Sequence, residues 1–381
     1  MERAVCGHSV NPFLFGTGSW VYGQLVGLER WRPIVVAKRR ENAETFPLDG
    51  VHALYDLSPL AQVAQRVGRR AKGYFPFQRK ALERGGARLL HAHFGSQGWK
   101  DLPLARALGV PLVTSFYGAD IWKLCQQASW RERYTELFAD GALFLVEGHA
   151  MRNKVLELGC PPEKVVVQHL GVDLSDTALL PRQPDATGEL RFLAAGRCVE
   201  KKGFELAVEA FARAHAELDT LRLSLMLIAR SSGEERRARA LREQVSGLGL
   251  EGVIDFPASM PYDEYRHALE SYHVFLAPSR HAADGDAEGG APVSLIEMSA
   301  SGMPIVASDH CDIPEVVPHG VSGLIVPEGD VAALTAAILE MGRAPERWVE
   351  FGRAGREHVE REYRLGTQVP KLERIYDGLT G

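Results

Sequence analysis

The chain has 381 residues, 45% hydrophobic and 24% charged, with a net charge of −5 at neutral pH. That length suits two domains, each able to bury a core. The small net charge gives no footprint for nucleic acid, and no apolar run approaches the ~20 residues of a membrane span.

From its start the chain lacks the basic region and long apolar stretch of a secretory signal. The five cysteines, Cys6, Cys125, Cys160, Cys198 and Cys311, are scattered and never form C-x-x-C. This argues against a zinc site or a disulfide framework and fits a reducing cytoplasm best. His91 and His93 form a close pair without a further ligand at metal spacing, so they read as polar side chains at a strand end and no metal is expected.

Apolar runs that read as buried parallel strands recur at 34–37, 89–92, 112–116, 143–146 and 165–168, with helical segments between them. After a polar, proline-bearing stretch at 175–189 the alternation restarts, at 190–195, 223–228, 253–256, 274–277, 305–307 and 323–326. Two rounds of βαβ rhythm predict two doubly wound parallel sheets with ligand sites at the carboxyl ends of their strands and a cleft between facing edges. The expected division is 1–178, an acceptor-side domain, and 179–360, a donor domain, with a helix at 361–381 packing back toward the first. Trp348, Phe351, Tyr363 and Tyr376 are the expected anchors of the polar C-terminal helices.

Charge divides unevenly. Residues 1–181 hold 22 Lys and Arg against 17 Asp and Glu, a balance of +5, which leaves 22 against 32, or −10, for the rest. Within the first half, Arg66, Arg69, Arg70, Lys72, Arg79, Lys80, Arg84 and Arg88 are opposed only by Glu83, with Tyr74, Phe75 and Phe77 among them. Such a stretch suits an anionic membrane surface or an acceptor phosphate, or else a solvated helix and loop.

The stretch 284–314, DGDAEGGAPVSLIEMSASGMPIVASDHCDIP, carries the most chemistry. Gly289, Gly290 and Ala291 let backbone approach a ligand, Pro292 suits the first position of a helix running to about Ser301, and Gly302 caps it. The N–H groups and positive dipole end of such a helix suit a diphosphate. The segment GRCVEKKG, Gly196 to Gly203, follows the first strand of the second half and supplies Arg197 and Lys202 to the same region. Two cations and helix amides can stabilise a diphosphate leaving group without a metal.

In this order, about 90 residues apart, these segments resemble glycosyltransferase family four, retaining enzymes of GT-B fold that include bacterial polysaccharide-biosynthesis enzymes. The family pattern G-R-x-x-x-x-K-G is matched from Gly196 to Gly203, E-G-x-P-x-x-L-x-E by Glu288 to Glu297, and G-x-P-V-V-A by Gly302 to Ala307. Likeness extends through GCPPEKVVVQHLGVDL and PEVVPHGVSGLIVPEGD and covers nearly all of the chain after about residue 89. The resemblance implies an α/β architecture of two Rossmann-like domains. It implies that Arg197 and Lys202 hold the donor diphosphate, that Glu288 approaches the donor sugar and that Glu297 reaches the ribose. Gly289, Gly290, Ala291, Pro292, Val293, Ser294 and Leu295 would line the donor with backbone, and the turn after Phe256 would lie against the base. Gly16 and Gly18 match the first glycine-rich loop. Asp120 in SFYGAD matches an acceptor-side or sugar-side position, although it could equally cap a helix starting at Ile121.

The chain departs from the family at four places. Its two glutamates are nine apart rather than eight. Tyr117 stands where many members have histidine, leaving His93 or His149 as substitutes. ARSSGEE, Ala229 to Glu235, replaces a G-x-G-P turn, and His310, Cys311 and Asp312 replace a glycine pair.

The implied activity is a retaining, metal-independent, hexosyltransferase-type transfer from a nucleotide diphosphate sugar, UDP-linked before GDP-linked, to a hydroxyl acceptor that includes lipid-linked sugars. No cofactor is expected beyond the donor, and the expected location is cytoplasmic, with peripheral membrane contact. The rival readings are an epimerase or phosphorylase of the same fold, or a non-catalytic nucleotide-binding subunit.

Overall fold

Strand and helix alternate from the fourth residue onward in this computed structural model, which describes residues 3–14, 19–184, 186–258, 260 and 262–381. The first unit comprises residues 1–173 with 363–381, the second 174–362. The first contains β1 (Ala4–Ser9), α1 (Ser19–Val26), β2 (Trp31–Ala37), β3 (Val51–Ala53), α2 (Pro59–Lys72), α3 (Pro76–Gly85), β4 (Ala87–His93), α4 (Gly95–Leu108), β5 (Leu112–Ser115), α5 (Ala128–Asp140), β6 (Leu143–Val146), α6 (His149–Glu157) and β7 (Val165–Val167). The second contains β8 (Leu190–Arg197), α7 (Phe204–Glu217), β9 (Leu221–Ile228), α8 (Ser232–Gly247), β10 (Ile254–Asp255), α9 (Tyr262–Ala268), β11 (Val274–Ala277), α10 (Val293–Ala300), β12 (Ile305–Ser308), α11 (Ile313–Val316), β13 (Gly323–Val326), α12 (Val331–Arg343) and α13 (Trp348–Glu362). The final helix, α14 (Leu365–Thr380), rejoins the first unit.

Both sheets are parallel, ordered β3-β2-β1-β4-β5-β6-β7 and β10-β9-β8-β11-β12-β13. Strand order reverses between β1 and β4 in one and between β8 and β11 in the other. Such switch points open a crevice at the carboxyl ends of the strands. His93 and Arg197 end two of these four strands, so topology places them at the crevices where doubly wound folds commonly bind ligands.

Every expected strand is present, with 253–256 shortened to Ile254–Asp255. The reading missed β1 and β3. β1, at the centre of its sheet, reads AVCGHS, broken by Gly7 and His8. A Cβ at residue 7 would lie 2.6 Å from Leu82 Cδ2, so a side chain there would have to displace the buried Leu82 of α3. Trp348, Phe351, Tyr363 and Tyr376 are all buried, as expected of packing anchors. The Glu373 carboxylate of α14 accepts from the N–H groups of Glu29, Arg30 and Trp31 at 2.9, 2.6 and 3.2 Å, which ties the C-terminus to the start of β2.

Asp101 of α4 is 2% exposed, and both its oxygens accept from Gln97 Nε2 at 2.9 Å. Burial pushes its carboxyl up to about 6 despite hydrogen bonds from Ser9 and Gln97. Because the folded value lies above the unfolded one of 3.8, the unfolded state ionises first and stability falls as pH rises toward 6. This costs about 3 kcal/mol in full. Urea denaturation from pH 4 to 7 should therefore show a downward slope that Asp101→Asn reduces; parallel slopes in the two proteins refute the assignment.

Candidate functional site

β8 ends at Arg197, and a 3-10 turn over Glu200–Lys202 leads through Gly203, at φ +65°, into α7. From this loop Lys202 Nζ reaches Glu288 Oε1 at 2.9 Å, with side chains only 18% and 7% exposed. Ser279 Oγ donates to the same oxygen at 3.0 Å. Lys201 Nζ donates to Ala287 O at 2.7 Å and pairs with Asp286 at 3.3 Å. Two motifs about 90 residues apart thus form one fastened pair of loops beyond β8 and β11. Burial alone would raise the Glu288 carboxyl, but the Lys202 and Lys201 charges outweigh it and hold the group below its ordinary range.

The departures from the family pattern acquire local explanations. Glu288 N–H donates to His310 Nε2 at 3.1 Å, so that nitrogen carries no proton, and Nδ1–H is left to donate to Glu328 Oε2 at 2.8 Å. Burial keeps His310 below its ordinary range against the pull of Glu328. Glu328 also accepts from His281 N–H at 2.6 Å, so the lengthened loop before α10 is anchored by side chains where a glycine pair would give none. In ARSSGEE, Ser231 caps α8 and accepts from Glu234 N–H at 3.3 Å. The Glu234 side chain accepts from Arg197 Nη2 and from Arg230 N–H, both at 2.5 Å. Burial would raise Glu234, but these bonds hold it below its ordinary range. Sequence reasoning missed Glu234 and Glu328 and named His310 only as a departure from the family pattern. The S-x-x-E spacing of Ser231 and Glu234 was the available signal for the first of these.

Gly289, at φ +82°, Gly290 and Ala291 are buried and lead to α10. Pro292 is not the first helical residue as expected: with φ −58° and ψ 132° it is the extended residue before the helix, which begins at Val293. The first N–H groups of α10, including those of Val293 and Ser294, have no intrahelical partner. Leu295 turns its side chain into the core and can offer only backbone to a ligand. Gly302 stands at φ +80° beyond the helix end, as its position implied. Glu297 lines a different space, a cleft of about 500 Å³ shared with Arg182, Tyr265, Leu269 and Ser301. Arg182 is buried there, donating to Leu269 O at 2.6 Å and Tyr272 O at 2.9 Å.

In the first unit, Gly16 and Gly18 lie outside the described residues. His93 ends β4, as expected, and is fully buried. Its Nδ1 meets Tyr117 Oη at 2.7 Å and its Nε2 meets His8 Nδ1 at 3.1 Å. His91 bonds Tyr376 Oη at 2.6 Å and Ser115 Oγ at 2.7 Å. Burial pushes His93 down to about 3 and moves His8 and His91 in the same direction, so the three imidazoles are neutral. Asp120 does not cap a helix at Ile121; the next helical turn is a 3-10 turn over Leu124–Gln126. Its Oδ2 accepts from Gly95 N–H at 2.7 Å, at the start of α4, and its Oδ1 from Tyr117 and Gly118 N–H at 3.1 and 2.9 Å. Burial raises this carboxyl against those backbone donors. Asp120 therefore fixes the loop that presents Tyr117.

Residues 28–176 match the family described as Glycosyltransferase Family 4, and residues 189–343 match Glycosyl transferases group 1. The chain is 32% identical over 290 residues to the amylovoran biosynthesis glycosyltransferase AmsK of Erwinia amylovora, covering 75% of this chain and 69% of AmsK. It is 38% identical over 256 residues to a Salmonella typhimurium protein named as the colanic acid biosynthesis glycosyltransferase WcaL, spanning 66% of this chain and 61% of that one. Among solved structures, Anabaena Alr3699/HepE in complex with UDP and glucose superposes with a TM-score of 0.78 at 15% identity, over 99% of this chain and 100% of that one.

Proposed function

The chain belongs to glycosyltransferase family four, and we propose that it moves a sugar, with retention of configuration, from a nucleotide diphosphate donor to a hydroxyl of a growing polysaccharide or glycolipid. The observation that carries this reading is the Lys202–Glu288 contact, which fastens the two donor-side motifs together at the switch point of the second sheet. Lys202, Arg197 and the first amides of α10 would meet the diphosphate. They stabilise charge as it develops on the leaving group, the point at which electrostatics accelerates the reaction. The departing phosphate would take the acceptor's proton on the same face, so no pair of carboxylates spaced for a covalent intermediate is required. Glu297 and its cleft would take the nucleoside. A uridine diphosphate sugar is the donor proposed first, in line with the UDP of the HepE complex.

Glu234 shapes how Arg197 works. The guanidinium is held by a carboxylate before any donor arrives, so it is aimed and partly neutralised. Arg197→Ala should lower turnover about 100-fold while a chelator leaves turnover unchanged. The test is donor consumption and product anomer by NMR, with UDP-, GDP- and ADP-sugars compared. Release of nucleotide and an altered sugar without acceptor identifies an epimerase instead, and restoration of chelated enzyme by magnesium refutes the metal-independent mechanism.

A further inference from the structure

α2 is assembled with its apolar side outward. Its sequence, PLAQVAQRVGRRAK, holds no carboxylate. At about 100° per residue, Leu60, Val63, Ala64, Val67 and Ala71 form one stripe, with Arg66 and Arg70 along its flank. The stripe faces solvent: Leu60 is 86%, Val63 55% and Val67 61% exposed, and no residue of α2 is buried. The opposite face holds the helix to its unit through polar and small groups. Gln62 Nε2 donates to Leu57 O at 2.9 Å, and Gln65 Oε1 accepts from Phe77 N–H at 2.8 Å. The Arg69 guanidinium lies 5.0 Å from the Phe75 ring centre, and Gly68 sits so near Pro76 that a Cβ would come within 2.6 Å. A surface helix ordinarily turns its apolar stripe to the core. Here the arrangement is reversed, and three large aliphatic side chains are left in water.

We propose that α2 docks this protein on an anionic lipid bilayer, its aliphatic stripe entering the acyl boundary while Arg66, Arg70 and Lys72 meet headgroup phosphates. Charge complementarity selects this occupant. No ion pair holds those three cations to a carboxylate among the described residues. A second copy would set arginine against arginine along the shared stripe, which is repulsive. A protein partner is a poorer match because the stripe offers none of the Trp or Tyr anchors on which such interfaces depend. No helix among the described residues is long and apolar enough to cross a membrane, so the attachment is peripheral. Of the aromatics within the basic stretch, Tyr74 and Phe75 are buried and cannot reach a bilayer, and Phe77 is half-buried. Arg79 pairs with Glu83 at 2.7 Å, and Arg88 donates to Thr380 O at 2.5 Å. The apolar anchors lie one helix earlier than the sequence suggested.

Sedimentation of the full chain with phosphatidylcholine vesicles, with and without phosphatidylglycerol, tests this. Binding is expected only with phosphatidylglycerol and at low salt. Arg66→Gln, Arg70→Gln and Lys72→Gln together should weaken it about 100-fold, roughly fivefold per charge. Leu60→Ser, Val63→Ser and Val67→Ser together should weaken it about tenfold or more while leaving the salt dependence unchanged. These side chains point away from the unit, so both variants should melt with the wild type. Three results each overturn the proposal: no wild-type binding to anionic vesicles, undiminished binding by the serine variant, or self-association that the serine variant abolishes. The proposal does not rest on the sugar-transfer reading, and nucleotide-induced thermal shifts follow that reading separately.

Discussion

Lys202→Ala is expected to lower turnover by two to three orders of magnitude, the loss that follows if its preorganised charge meets the leaving group as proposed. Lys202 is 18% exposed, so its charge acts with less screening than that of the half-exposed Arg197. The loss has a second signature. Removing Nζ leaves the Glu288 carboxylate, 7% exposed, with Lys201 as its remaining neighbouring lysine, so the burial that raises its proton affinity is opposed by less charge. The acidic limb of the rate profile should therefore move to higher pH in Lys202→Ala, and Lys202→Arg should restore most of that limb but less of the rate, because the fork is not a point charge. Steady-state kinetics across pH 4 to 9 check both. A variant with normal kcat and only a raised KM would show that Lys202 serves ground-state binding alone.

Gly203→Ala is expected to destabilise the second unit by about 3 kcal/mol or more and to remove most activity. Two causes add. Residue 203 sits at φ +65°, which costs an L-residue roughly 1 kcal/mol or more, and its Cβ would lie 1.9 Å from Pro278 O, a backbone atom that cannot swing aside. The loop carrying Lys202 must then separate from the loop leading to Glu288, and a misplacement of about 1 Å costs on the order of 100-fold in rate. Gly247→Ala, at the end of α8, is the control, because a Cβ there would meet nothing within 4 Å. Chemical denaturation of both variants decides the matter: equal stabilities would contradict the close approach at Gly203.

These two variants also show which parts of the site could be read from sequence. Lys202 and Glu288 were named from motif order, but their direct contact was not, because a motif records residue types along the chain and not the turn that folds one loop onto the other. The partner of Arg197 was missed for a related reason. Glu234 belongs to a segment in which the expected turn is replaced by a capped helix start, and only the 2.5 Å contact shows that the substitution supplies a carboxylate to the arginine. His310 was noted as a departure; its use as an acceptor for Glu288 N–H required the loop before α10 and the loop after β12 to be seen side by side.

The sequence by itself determined the alternation of strand and helix, the two doubly wound units and the motif-bearing loops. These follow from local periodicity, from glycine and proline placement, and from the burial that parallel strands require on both faces. Tertiary structure alone decided three other matters. It made the broken run AVCGHS a central strand, because α3 packs against Gly7. It gathered His8, His91 and His93 into a neutral buried cluster, because their strands lie side by side. It turned the apolar stripe of α2 to solvent although the same periodicity normally marks a buried face, because helical spacing fixes which residues share a side, and only long-range packing fixes which side the protein covers.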